Sequence, residues 1–241
     1  MSTLGIVTAR SGSKGINNKN IRNLSGEPLM AYTIETALKC QYIDKVMVST
    51  DSDVYADIAR EYGAEVPFLR SERNSTDIAP TMDVLLEVLE EYKKRGFEFE
   101  NIIVLQPTSP LRTCQNLNEA FRLFYEKEAD SVVSVCECEH SPLLSNTLPD
   151  DQNMFGFISR ENNRRRQDLE KYYRINGAIY ISKSSVLKQI QSFYGTKSYA
   201  YIMSRLESVD IDTSLDFEYA EFLMEREKQL NMTLREMEEY N

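Results

Sequence analysis

Leu4-Gly-Ile-Val-Thr-Ala9-Arg10-Ser-Gly-Ser-Lys14-Gly15, followed by Lys19-Asn20, is a short apolar strand running straight into a Gly/Ser loop that carries cations. Arg10, Lys14, Lys19 and Arg22 all precede the first carboxylate, Glu27, in a chain with 38 acids and 28 bases. A strand that ends in such a loop is suited to polyphosphate. Glycines let the backbone approach closely, amides point inward, and Lys and Arg neutralise the charge. A surface turn with solvated lysines is the alternative, and it leaves both the missing acids and the position after the first strand unexplained.

Outward from this stretch, strand and helix patterns alternate. Lys45–Thr50 reads as a strand. Asp51 and Asp53 then read as caps of a helix over 54–62, which Gly63 closes. Glu65–Leu69 reads as a short edge segment. A long helix starts at Pro80, with Val84, Leu85, Val88, Leu89 and Tyr92 as its apolar stripe. Asn101–Leu105 is apolar enough for a strand covered on both faces. A helix carrying Leu117, Ala120, Phe121 and Phe124 leads to the strand Ser131–Cys136. The alternation lapses between about His140 and Arg174. It returns with Gly177–Ile181, a helix over 186–190, the strand Tyr199–Met203 and a helix from Ser214. The expected fold is a mostly parallel, doubly wound α/β sheet flanked by helices, with residues 140–174 as an arm. Residues 1–228 form one domain in this reading. The tail 229–241, with Leu230, Leu234 and Met237 at helical spacing, is expected to pack locally or fray.

Bulk properties narrow the function classes. A net charge of −10 argues against general nucleic-acid binding and leaves room for a small anion in a cationic pocket. No stretch reaches the roughly 20 apolar residues of a membrane span, and the first apolar run is too short for a signal peptide. A cytoplasmic protein with reduced thiols at Cys40, Cys114, Cys136 and Cys138 is the expectation.

Asp210-Ile-Asp212 offers two carboxylates that an extended backbone points to one side, as a hard cation requires. Thr213-Ser-Leu-Asp216 beside them has the form of a capping box, and acids at a helix start are stabilised by its dipole without any metal. Leu105-Gln-Pro-Thr-Ser-Pro-Leu-Arg112 reads as a stiff loop, with Gln106, Thr108 and Ser109 as hydrogen-bonding groups facing substrate. Arg164-Arg-Arg-Gln167 is either a solvated run or, on an arm, a fork for a carboxylate. Cys136-Glu-Cys138-Glu-His140 lacks the partner pair that a zinc site needs. With a single histidine and no Gly-x-Ser-x-Gly elbow, a Ser-His-Asp triad is excluded as a working reading.

Taken together, these motifs resemble the acylneuraminate cytidylyltransferases. The similarity rests on Ala-Arg-x-x-Ser-Lys-Gly with Lys19-Asn20, Ser-Thr-Asp at 49–51, Leu-Gln-Pro-Thr-Ser-Pro-Leu-Arg-Thr at 105–113 and Ser-Val-Val-Ser at 131–134. Asn-Gly-Ala-Ile-Tyr-Ile at 176–181 and Asp-Ile-Asp-Thr at 210–213 complete it. The resemblance implies transfer of CMP from CTP to a nonulosonic acid. Arg10, Lys14 and Lys19 would grip the triphosphate, with Ser11, Asn20, Arg70 and Thr81 around the nucleotide, and Lys19, Arg10 and Asp212 would carry the chemistry. Asp210 and Asp212 would hold Mg2+. Gln106, Asn176 and Tyr180 would face the sugar, Phe193 and Tyr194 would line its acyl pocket, and Arg174 is a further matching position. The resemblance also implies a homodimer in which the arm carries Arg166 to the partner's sugar carboxylate. The chain departs from the family pattern at Asn17-Asn18, Leu144 and Glu170; the last two leave open which nine-carbon acid is used, among N-acetylneuraminate, legionaminate and pseudaminate. Relatives that activate an eight-carbon keto-deoxy acid are a nearer alternative, disfavoured because the Asn-Gly-Ala-Ile-Tyr and Arg-Gln matches follow the nine-carbon group. A glycosyltransferase and a non-catalytic nucleotide-binding module are the more distant alternatives.

Overall fold

The computed structural model describes residues 2–12 and 15–239, apart from the side chains of 231 and 233–239. Strand β1 (Thr3–Thr8) enters the loop, which turns through a small hairpin, β2 (Asn23–Leu24) and β3 (Glu27–Pro28), into α1 (Leu29–Leu38). Then follow β4 (Lys45–Ser49), α2 (Asp53–Glu61), α3 (Thr81–Lys94), β5 (Asn101–Leu105), α4 (Cys114–Glu126) and β6 (Ser131–Glu137). The last elements are β7 (Tyr173–Lys183), α5 (Ser184–Ile190), β8 (Ser198–Met203) and α6 (Ser214–Glu239). Among the described residues no helix is long and apolar enough to cross a membrane.

The six-stranded sheet has the order β4-β1-β5-β7-β6-β8. Strands β4, β1 and β5 are parallel, as are β6 and β8, whereas β7 is antiparallel to both β5 and β6. The sheet is mostly parallel, as expected, and β7 is its one reversed strand among the described residues. An apolar run has the same periodicity in either direction, so the sequence does not show the reversal. The chain leaves β1 to β4 on one side and returns to β5 on the other. This makes the carboxyl ends of β1 and β5 a topological switch point, where open α/β sheets bind ligands. Because β7 is reversed, its amino-terminal half lies at that same edge.

Both faces of the sheet are covered. Phe121, Phe124, Ile34, Ala56 and Ala59 from α4, α1 and α2 pack on Val7, Val48, Ile103 and Ile179. On the opposite face, Leu85, Val88, Leu89 and Tyr92 of α3 meet Leu4, Ile6, Ile102 and Val104. A third cluster lies outside the sheet. Phe217, Ala220 and Leu223 of α6 pack on Ile16, Leu24, Leu29, Val209 and Ile211, and the Arg22 guanidinium lies 4.7 Å from the Phe217 ring centre. This contact clamps the first loop to the carboxy-terminal helix. That helix runs without a break through residue 228 to Glu239.

Strand β7 carries a bulge. Val133 pairs with Tyr180 and Val135 with Ile175, so one residue of β6 faces the segment 176–179. Asn176, which is 1% exposed, fills the gap. Its Oδ1 accepts from the Ser134 hydroxyl at 2.6 Å, and its Nδ2 donates to the Ser208 hydroxyl at 2.8 Å. The Ser134 hydroxyl in turn accepts from the Ile179 amide at 2.8 Å. The arm is the connection between β6 and β7. Its ends are joined where the Cys138 amide donates to the Tyr172 carbonyl at 2.8 Å, and Leu148, Met154 and Phe155 stand exposed along it.

Asn176→Ala removes the centre of this buried network and takes one partner from each of two hydroxyls, leaving Ser134 with Ile179 and Ser208 with the Ser204 carbonyl. It is expected to cost about 2–3 kcal/mol of stability, read as a lowered urea midpoint at unchanged slope; an unchanged midpoint contradicts the assignment.

Candidate active site

A cleft of about 480 Å³ opens at the switch point. Arg10, Gly15, Lys19 and Asn20 line it from the first loop, Arg70, Asn74 and Thr81 from the segment before α3, Gln106 and Thr108 from the β5 loop, and Asp212 from the far end of the chain. A larger cavity of about 670 Å³ lies at the opposite sheet edge among Phe97, Phe99 and Phe124, and it contains none of the predicted site residues. The smaller cleft is the candidate site because the charged groups converge there.

Lys19 spans the cleft. Its Nζ donates to the Ile211 carbonyl at 2.7 Å and to Asp212 Oδ1 at 3.1 Å. A Cβ at Gly15 would stand 2.7 Å from the Asp212 carbonyl, so only glycine lets the two backbones approach this closely. The Asn20 amide, 5% exposed, donates to the Arg10 carbonyl at 2.9 Å and shapes the loop from beneath. Arg10 forms an ion pair with Asp77 at the mouth of the cleft. The predicted phosphate ligand Lys14 lies outside the described residues.

Asp51 is not a helix cap. Ser52 caps α2 by accepting from the Tyr55 amide, while the Asp51 carboxylate accepts from the Ser11 amide at 2.8 Å and the Ser11 hydroxyl at 2.9 Å. Ser11 is thus a residue through which the loop is fixed. Arg70 is anchored by donation from Nε to the Ser49 hydroxyl (3.0 Å) and from Nη2 to the Ser49 carbonyl (2.7 Å). Burial lowers its guanidinium to about 10.

Asp210 sits deeper than Asp212. Burial pushes its carboxyl above the usual range, with a Thr108 hydrogen bond, Lys19 and Arg174 opposing and Asp212 adding to the rise. Its Oδ1 is buried without a protein partner. An orphaned carboxylate oxygen beside a second, exposed carboxylate suits a hard divalent cation that completes its shell with water and phosphate oxygens. The helix start beside the pair is the expected capping box: Asp216 Oδ2 accepts from the Thr213 amide at 2.7 Å, and the Thr213 hydroxyl accepts from the Asp216 amide at 3.3 Å.

The predicted sugar-facing residues divide into two groups. Tyr180 and Phe193 pack with ring centres 5.2 Å apart. Burial, then Tyr194 and Asp210, raise the Tyr180 phenol to about 12. Gly177, at φ +75°, brings its backbone against Gln106, where a Cβ would lie 2.5 Å from Oε1 and 3.7 Å from Asp210 Oδ2. Asn176 does not face the cleft, because its amide is used in the bulge. Arg174 is held in a fork by Glu139 at 3.1 and 2.7 Å, and this contact pulls the Glu139 carboxyl down to about 2. Arg166 lies on the exposed arm among Glu137, Ser141 and Tyr172, away from this chain's cleft. Ser109 is fully buried with an unpartnered hydroxyl and does not face substrate.

The family model described as cytidylyltransferase matches residues 4–239. The chain belongs to the cytidylyltransferase family. It is 38% identical to an N-acylneuraminate cytidylyltransferase of Streptococcus agalactiae over 90% of this chain and 52% of that protein. It is 35% identical to a CMP-N,N'-diacetyllegionaminic acid synthase of Legionella pneumophila over 93% of this chain and 97% of that one. The chain thus spans about half the length of the streptococcal relatives and nearly all of the Legionella one. Among solved structures, the fold matches a CMP:2-keto-3-deoxy-manno-octonic acid synthetase complexed with CTP, at TM-score 0.71 and 17% identity, covering 94% of this chain and 100% of that one.

In this member of the cytidylyltransferase family, Asp51→Ala releases Ser11 and loosens the first loop. Affinity for a nucleoside triphosphate is expected to fall about tenfold, the equivalent of one charge-assisted hydrogen bond, as measured by calorimetric titration; an unchanged affinity argues against the clamp.

Proposed function

We propose that this protein transfers CMP from CTP to the anomeric hydroxyl of a nonulosonic acid and releases pyrophosphate. The observation that carries this reading is the contact of Lys19 with Ile211 and Asp212 across one cleft. Cations for a triphosphate and carboxylates for a metal are thereby brought together at the switch point. Relatives named for N-acylneuraminate and for diacetyllegionaminate support the sugar class.

In this mechanism Arg10 and Lys19 leave their carboxylate partners to neutralise the phosphates. Asn20 and the Asp51–Ser11 pair hold the loop in position, and Arg70 and Thr81 border the nucleoside. Asp210 and Asp212 would hold Mg2+, which when bound supplies Lewis-acid charge to the phosphoryl oxygens. Gln106, Tyr180, Phe193 and Tyr194 orient the sugar acid so that its anomeric oxygen lies in line with the α-phosphorus. Displacement of pyrophosphate spreads charge over the phosphoryl oxygens, so positioning and fixed cations carry most of the catalysis. Arg166 completes the site in a homodimer, reaching the partner's sugar carboxylate from the arm. A cytoplasmic location fits a CTP-consuming reaction.

Lys19→Ala is expected to keep the fold and lose roughly a hundredfold in kcat, about 3 kcal/mol of barrier; near-normal turnover rejects the role of Lys19. Pyrophosphate release with CTP, Mg2+ and each of N-acetylneuraminate, legionaminate, pseudaminate and the eight-carbon keto-deoxy acid identifies the substrate. Release with the eight-carbon acid alone moves the assignment to that class. Binding of CTP with no release across the panel makes the protein a nucleotide-binding module.

A further inference from the structure

Arg112 is 2% exposed, and no carboxylate pairs with it among the described residues. A buried cation without a counter-ion costs several kcal/mol, so its position calls for a compensating role. Its partners are all neutral oxygens. Nη1 donates to the Ala178 carbonyl at 2.8 Å and to the Gln106 carbonyl at 3.3 Å, and Nη2 donates to the Thr33 hydroxyl at 2.8 Å. Burial alone lowers the guanidinium to about 9.

These oxygens mark where the sheet opens. The ladder between β5 and β7 ends at the pair Val104–Tyr180. Beyond it the bulge carries β7 away, and the carbonyls of Gln106 and Ala178 lie outside the ladder; that of Gln106 also accepts from the Ser109 amide at 3.3 Å. Arg112 supplies donors to both from behind the cleft. On the cleft side of the same two backbones, Gly177 lies against the Gln106 side-chain amide, with the Asp210 carboxylate close by. Nη1, bonded to both carbonyls, therefore bridges the two walls of the sugar half of the site, while Nη2 ties the guanidinium to Thr33.

We infer that Arg112 is a positioning residue for the sugar acid, holding Gln106 against the Gly177 bulge where the β5–β7 ladder is broken. The inference rests on the proposed function for the identity of the ligand and on the geometry alone for the positioning. Nucleotide contacts at Arg10, Lys19 and Arg70 lie on other elements, so the effect separates by substrate.

The test uses Arg112→Met and Arg112→Lys in the full chain. For the methionine variant, the KM for the sugar acid is expected to rise about tenfold or more, while CTP affinity stays within about twofold. Hydrogen exchange is expected to quicken at 106–109 and 176–179 and to stay unchanged in the rest of the sheet. The lysine variant, which restores a donor to the carbonyls, is expected to recover most of both losses. The inference is overturned if sugar KM and CTP affinity worsen together with faster exchange across the sheet, because Arg112 is then only a structural strut. It is equally overturned if the methionine variant changes nothing. Absence of pyrophosphate release by the wild type with every acid defeats the proposed function instead, and the exchange pattern then decides the positioning by itself.

Discussion

The structure depends on two backbone segments nearly the whole chain apart being allowed to touch. Gly15 lies against the Asp212 carbonyl with no room for a Cβ, and Lys19 fastens the approach by donating to Ile211 and Asp212. Neither contact would hold without the apolar cluster beneath, in which Ile16, Leu24 and Ile211 share Phe217 and Leu223 of α6. Hydrophobic burial positions the two segments, and the ion pair, partly exposed on the Asp212 side, adds direction more than energy. The cations of the first loop and the Asp210/Asp212 carboxylates thus meet because a helix from the end of the chain packs on a loop from its beginning.

Much of this was legible in the sequence. The acid-free loop after the first strand, the fully buried strand Asn101–Leu105 and the Asp210/Asp212 pair each follow from composition or periodicity, and their convergence follows from where α/β sheets bind ligands. The reversal of β7 was not legible, because alternation of side chains records faces and not direction. The direction of Asn176 was not legible either. An amide adjoining a motif is equally suited to a ligand and to a bulge, and only the register shift opposite Ser134 decides between them.

Counter-charges were the other blind spot. Asp51 looks like a helix cap because it sits one residue before the true cap, Ser52, and its bonds to Ser11 depend on the spacing between adjacent strands. Asp77 lies in a segment without periodicity, and its pairing with Arg10 is long-range. Arg112 ends a motif that reads as a substrate loop, yet its side chain points away from the cleft into the gap behind it. In each case the residue type was visible and the partner was not, since partners are set by topology.

The bond from Cys138 to Tyr172 that closes the arm at its root has a further consequence. It makes the whole excursion a side loop of a sheet that is complete without it, and lengthening such a loop carries only a slowly growing entropic penalty. Residues between these two pins contribute little to the core, so they are free to diverge, and any group they offer to a neighbouring molecule changes without altering the register of the strands. Whatever the arm meets is therefore mechanically uncoupled from the frame of the cleft.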